Sequence, residues 1–276
     1  MSQRVLTTVA GRSPGDHVCW PFHGIEEYVQ VAREYVAEGL DRHQLVTFVR
    51  VAPGKLEHAI VSDVAQVGRP ADDRRPVLNK LTVLSGRTPS TSAPVQIGRM
   101  TRAAVAQGYT GLRLLTDVSE LVRRPDGRRE WMRAEHLIDR YALGNPLTTL
   151  CGYDLDDLGE EVVAGASRLH PLVGGAPSPF HLSATDADGG LALIGDVDFT
   201  SAHDLYHVLL LIGPEVPARV TVDVSKLEFI DHSGLVALDR AARSLAVTMT
   251  LVRAEPLTTW LVDTLELRNV TTGAPA

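Results

Sequence analysis

Apolar positions along this chain recur in two periods. Short runs of strand length stand at His17–Phe22, Leu45–Val51, Leu81–Leu84, Leu112–Leu115 and Thr148–Cys151. Between them lie segments with helical spacing. Ile25, Tyr28, Val29, Ala32, Val36 and Leu40 make one stripe that closes near Gly39. The same spacing predicts helices over Lys55–Val67, Val95–Gln107 (closed by Gly108), Glu130–Leu143 (stopped by Gly144-Asn145-Pro146) and Leu158–Ser167. Strand and helix alternating at these lengths imply right-handed βαβ units and a mostly parallel sheet.

The pattern breaks at His170–Pro179, where three prolines and two glycines in ten residues oppose a helix or a central strand. This segment is expected to be a linker, with a boundary near residue 177. A second polar stretch, Arg87–Pro94, is short enough to be a loop. Beyond the linker, Phe180–Ala184 and Leu191–Gly195 are expected to form a hairpin about Asp188–Gly190. Then follow a helix Ser201–Ile212 capped by Thr200 or Ser201, a strand Arg219–Val224, a helix Ser233–Leu245 and a strand Val247–Val252. A helix Pro256–Leu265 and a short last strand at Arg268–Val270 close the order. The fold class is therefore α/β throughout, in two units.

Composition narrows the class. Of 276 residues, 44% are hydrophobic and 22% charged, which excludes a disordered chain, a collagen and a coiled-coil rod. No apolar run approaches the ~18 residues that a membrane helix needs. The first residues lack the apolar core of a signal peptide, so a cytoplasmic protein is expected. Cys19 and Cys151 are too few for a disulfide framework, and neither CxxC nor HExxH spacing argues for a metal. The net charge of −7 is lopsided: 21 basic residues balance 21 acidic ones up to residue 178, whereas 6 face 13 beyond it. An acidic last third opposes nucleic-acid binding and suits a protein partner with a basic face.

GxxxxGK[ST] and GxGxxG are absent, so an NTPase and a dinucleotide enzyme lose their main support. The informative stretch is Val220–Leu238, where a strand ending in Asp223 leads through a loop to Asp231-His232-Ser233-Gly234 at a helix start. Upstream, Gly195-Asp196-Val197-Asp198 ends another strand and leads into a helix. A phosphate on Ser233 would sit at unpaired backbone N–H groups, yet among Asp231, Asp196, Asp198 and Asp223 expected at the same edge. The plain alternative is that Ser233 and Asp231 merely cap a helix and that Asp196 and Asp198 are solvated turn formers. Val236, Asp239, Arg240 and Arg243 are expected to face outward from that helix, leaving Val236 for a partner.

With their order and spacing, the G-[DE]-x-D-x-x-x-A and D-[ST]-[ST]-G elements over residues 179–276 resemble the STAS domain of anti-sigma factor antagonists. The resemblance implies a phosphoacceptor at Ser233, and a GHKL-type anti-sigma factor as partner and serine kinase. It further implies a PPM-type serine phosphatase to reverse the modification. His232 stands where that family has Ser or Thr, and the family's last helix is expected to be lacking after the final strand.

In the first part, Gly15-Asp-His-Val-Cys-Trp-Pro-Phe22, Glu26-Glu27-Tyr28, Glu38-Gly-Leu40, Arg113–Asp117, the Glu135 helix, Leu150–Asp154 and His170-Pro171 form an ordered series. Over residues 10–172 it resembles the MEDS sensory domain. The resemblance implies a RecA/KaiC-like core without a working phosphate loop, and small-molecule sensing. His17, Cys19, Trp20, Cys151, Tyr153 and Asp154, near strand ends, are the expected ligand pocket. Buried structural cysteines are the default reading, and Arg123, Arg124, Arg128 and Arg129 read as a solvated loop. The expectation is a non-enzymatic regulator without cofactor or metal: a sensor joined to a phosphorylation-switched antagonist. Two alternatives stand open, an unphosphorylated STAS scaffold of a larger complex and a catalytic first domain using Cys19 and His17. A homodimer is compatible with either.

Overall fold

A computed structural model describes residues 4–50, 92–186 and 188–273, with the side chains of Val49 and Arg50 excluded. The expected helix Lys55–Val67 and strand Leu81–Leu84 lie outside the described residues. Two mixed α/β layers are present. The first sheet holds β1 (Arg4–Leu6), β2 (His17–Phe22), β3 (Leu45–Arg50), β4 (Leu112–Asp117), β5 (Leu147–Asp154) and β6 (Leu172–Gly174). Among the described residues their order is β1-β6-β2-β5-β4-β3, with every pairing parallel.

Side-chain alternation divides this sheet into two faces. Val18 and Phe22 of β2 and Leu150 of β5 pack with Tyr28, Ala32, Tyr35 and Val36 of α1 (Gly24–Asp41). Cys19 of β2, with Cys151 and Tyr153 of β5, faces the other way. There it meets α2 (Ser92–Ala106) and α4 (Pro125–Ala142), α3 being the single turn Ser119–Val122. Two short helices follow β5, α5 (Leu155–Leu158) and α6 (Glu160–Ser167), separated at Gly159 with φ 77°.

The second sheet contains β7 (Phe180–Ala184), β8 (Leu191–Val197), β9 (Arg219–Asp223), β10 (Leu227–Ile230), β11 (Thr248–Val252) and β12 (Val270–Thr272). The order is β10-β8-β9-β11-β12, parallel, with β7 antiparallel to β8 as the expected hairpin. Helices α7 (Ala202–Ile212) and α8 (His232–Leu245) pack together, and α9 (Pro256–Thr264) starts with its proline at the first turn. The motif glycines have steric causes. Gly195 has φ +98°, and a Cβ there would stand 2.3 Å from the Pro179 carbonyl oxygen. A Cβ on Gly234 would meet Val197 at 2.7 Å and Ile230 at 2.8 Å, so glycine lets α8 start directly on the sheet.

Helix α4 lies between the two layers. Its Arg133 donates to the Leu211 carbonyl and its Arg140 to the Glu215 carbonyl, while its Asp139 accepts from the Ala184 N–H at 2.7 Å. Trp131, Met132, Ala134 and Ile138 belong to one apolar cluster that continues into Leu182, Leu193 and Leu209. A fully buried Ile138-sized side chain contributes roughly 1.5–3 kcal/mol.

Several expectations are corrected. The His170–Pro179 segment contributes β6, fully buried between β1 and β2, because Leu172 and Val173 form an apolar pair with no proline between residues 171 and 177. The first sheet thus runs from Arg4 to Gly174. Ser92–Pro94 are the first turn of α2, not loop. The basic run from Arg123 to Arg129 is not loop either, since Pro125 opens α4 there. The stretch after Asp223 carries β10, which pairs with β8. Asp239 is buried instead of outward-facing, because its carboxylate accepts from the backbone N–H groups of Arg268 and Asn269.

Candidate functional site

The buried polar centre of the molecule lies where α4 crosses β2 and β5. Alternation aims His17 and Cys19 of β2 at α4, and the parallel register sets Cys19 beside Cys151. Trp131, Glu135 and Asp139 lie at four-residue steps on α4, which aligns them on one helical face. Glu135 is fully buried, and its two oxygens are used differently. Oε1 accepts from Trp131 Nε1 and from the Tyr153 hydroxyl. Around Oε2 stand His17 Nε2 at 3.0 Å, Cys151 Sγ at 3.5 Å and His170 Nε2 at 3.5 Å. Cys151 Sγ lies 3.7 Å from His17 Nε2.

The outer groups orient the rings. His170 Nδ1 donates to the Ala166 carbonyl at 2.9 Å, which turns its Nε2 inward. His17 Nδ1 lies 3.5 Å from Asp139 Oδ1. The second Asp139 oxygen is the one that accepts from Ala184 N–H, so this carboxylate joins the cluster to the second sheet.

Burial opposes a charge on His17, but the hydrogen bonds to Asp139 and Glu135 outweigh it and raise its pKa to about 9. Burial also opposes the Glu135 charge, and His170 and His17 reverse that, holding the carboxyl well below its usual range. Burial, reinforced by Glu135, pushes the thiols of Cys19 and Cys151 and the Tyr153 phenol upward. Protonated thiols with relative exposures of 0% and 2% are poor nucleophiles, which weighs against Cys19 catalysis.

Of the six expected pocket residues, His17, Cys19, Cys151 and Tyr153 come together. Trp20 does not: it packs on the opposite face of β2, against the α1 cluster and Gly174. Asp154 lies at the open end of β5, where it caps α5 by accepting from Asp156 N–H. The expected pocket is therefore a packed core. A cleft of about 510 Å³ opens elsewhere, between α2 and α4, with Arg102, Arg140, Tyr141 and Asn145 on its wall. Glu135 and His170 belong to the ordered motif series, which assigns them no chemistry. The available signal was a carboxylate in the middle of an apolar helical stripe.

The second set of candidate residues lies at the ends of β8 and β10. Ile230 pairs with Val197, and Asp231 N–H donates to the Val197 carbonyl, so Asp198 and Asp231 leave adjacent strands. Asp231 caps α8 by accepting from Gly234 N–H at 3.0 Å. Ser233 is half-buried in the first turn, its Oγ 3.5 Å from His232 Nε2. Ser201 holds the N-cap position of α7, as expected, without a side-chain cap hydrogen bond, and Asp198 closes the turn before it by accepting from the N–H groups of Thr200 and Ser201. The Thr200 hydroxyl, ahead of the backbone N–H groups of Thr200 and Ser201, lowers the Asp198 pKa. Asp196 is exposed. Asp223 is not at this edge: its register partner is Ala192, near the start of β8, and it pairs with Arg253. Phe199, Phe229 and Val236 are exposed by 74%, 52% and 38%, and all follow or flank these strand ends.

No helix among the described residues is long and apolar enough to cross a membrane. No curated protein matches the chain. A solved structure, "Structure of the Anti-Sigma Factor Antagonist SpoIIAA in its Unphosphorylated Form", is similar at 14% identity, covering 34% of this chain and 87% of that one, with a TM-score of 0.28. The family described as MEDS, the MEthanogen/methylotroph, DcmR Sensory domain, matches residues 16–171. That match spans more than half of the chain and contains all the donors of the buried cluster, and the chain therefore belongs to the MEDS family.

Proposed function

We propose that this chain is a signalling regulator with a MEDS sensory unit over residues 10–172 and an output unit of the STAS type over residues 179–276. The output unit docks a GHKL-type anti-sigma factor when Ser233 is unmodified. Phosphorylation at Ser233 by that partner ends docking, and a PPM-type phosphatase restores it. The observation that carries this reading is the placement of Ser233. Its hydroxyl lies in the first turn of α8, at the sheet edge that Asp198 and Asp231 share.

Around that edge, Phe199, Phe229 and Val236 provide exposed apolar surface on an acidic unit. Such a surface suits a partner with a basic rim and an apolar centre. A phosphate there adds about −1.5 to −2 charges beside two carboxylates, which disfavours the docked state without refolding the unit. The protein is then a substrate and competitor, and not itself an enzyme. His232, in place of the family's hydroxyl residue, leaves Ser233 as the acceptor of that motif.

Phosphosite mapping by mass spectrometry on the protein from its native cells, with and without stress, tests the proposal. The expected result is a stress-dependent phosphate on Ser233 that is lost in Ser233→Ala. In parallel, the unmodified protein should bind a GHKL-type anti-sigma factor and the phosphorylated form should not. An unmodified Ser233 under every condition, with no such partner bound, would refute it.

A further inference from the structure

We propose that His17 Nε2, Glu135 Oε2, Cys151 Sγ and His170 Nε2 bind one divalent transition-metal ion, zinc by the character of the donor set. These four atoms lie within 4.8 Å of one another, and all four residues are buried. Four of the six separations are close to the edges of a coordination tetrahedron, and the other two are within 4.8 Å. Zinc bonds of about 2.0–2.1 Å to N or O and about 2.3 Å to S require edges of about 3.3 Å between N and O donors and about 3.5 Å to sulfur. The observed edges are 3.0 and 3.5 Å from Oε2 to the two imidazoles, and 3.5 and 3.7 Å from Sγ to Oε2 and His17.

The surrounding groups are those a metal site needs. The Ala166 carbonyl takes the His170 Nδ1 proton, and Asp139 lies beside His17 Nδ1, so both rings turn Nε2 to the centre. Trp131 and Tyr153 occupy Glu135 Oε1, leaving Oε2 to the ion. One thiolate, one carboxylate and two neutral imidazoles balance a divalent cation, so the filled site is neutral in a dry core. A mixed N, O and S set selects zinc over magnesium or calcium. On binding, the thiol proton of Cys151 and any proton on His17 leave to solvent, while no redox change occurs. With four protein donors the site is closed, as in structural sites. Through Asp139, which accepts from the Ala184 N–H of β7, the site is also joined to the second sheet.

This inference is independent of Ser233. A metal-bound protein that is never phosphorylated would remove the switch alone, and a phosphorylated protein without metal would remove the site alone.

The test uses the full chain produced in zinc- or cobalt-supplemented medium, because a fully buried site is filled during folding. The expected result is one ion per chain that survives dialysis, by elemental analysis. Cobalt-loaded protein should show a thiolate-to-cobalt charge-transfer band and the intense visible bands of tetrahedral cobalt. Cys151→Ser should lose the charge-transfer band, and Asp139→Asn should weaken zinc affinity about 10–100-fold. X-ray absorption on the wild-type zinc protein needs no variant and should show one sulfur and three N/O neighbours. Protein without stoichiometric metal would overturn the proposal, as would zinc with no sulfur neighbour or a charge-transfer band that persists in Cys151→Ser.

Discussion

The two polar centres of this molecule use nearly the same residue types in opposite surroundings. On the first sheet, carboxylates and imidazoles are sealed under α4, where Glu135 and His17 have no exposure at all. On the second, Asp231, His232 and Ser233 begin α8 at an accessible strand end. Burial makes each partner in the first centre obligatory, since an unpaired charge there costs several kcal/mol. In the second centre water solvates the groups, so a charge can be added without refolding. The first arrangement suits holding something in place, and the second suits being modified.

The largest expected effect that separates them is Glu135→Ala. It leaves His17, Tyr153 and Trp131 facing a void without their acceptor, and should cost roughly 3–5 kcal/mol in denaturant unfolding. A loss below about 1 kcal/mol would mean that the network is not what holds α4, well under the cost of breaking a buried pair.

Next comes acid. His181 on β7 is buried, and desolvation lowers its pKa from 6.5 to about 4. The unfolded chain binds a proton there that the folded chain refuses, so this contribution is complete above pH 6.5. It falls as pH drops from 6.5 toward 4, by up to about 3 kcal/mol. His181→Gln should flatten that part of the stability profile between those pH values. An unchanged slope would place the acid sensitivity elsewhere.

At the exposed centre the effects shrink. Asp231→Ala removes the α8 cap and should cost about 1 kcal/mol, read as a small fall in Tm. Ser233→Ala should change stability by less than about 0.5 kcal/mol while abolishing phosphate incorporation at α8. If Ser233→Ala were as damaging as Glu135→Ala, the contrast between a sealed and an accessible centre would fail.

Much of the fold was legible from local pattern. The α1 stripe, the β2 run, the β7–β8 hairpin and Pro256 at a helix start are all consequences of spacing and backbone chemistry over a few residues. Alternation within β2 even separates Trp20 from His17 and Cys19, which the pocket expectation overlooked. β1 and β6 were not legible, since three-residue strands carry too little periodicity to stand out. The Asp198 side chain closing the turn before α7 was equally hidden, because the cap position at Ser201 does not reveal which neighbouring side chain accepts from the turn.

Sequence by itself determined the alternation of strands and helices and the position of Ser233 at a helix start. Each follows from interactions among near neighbours in the chain. Only the tertiary structure decided that His17 meets Glu135, 118 residues away, and that Cys151 and His170 join them. It also moved Asp223 away from Ser233 and put Asp239 inside. The reason is physical: periodicity says which side of an element is buried, whereas strand order and helix crossing choose what that side is buried against.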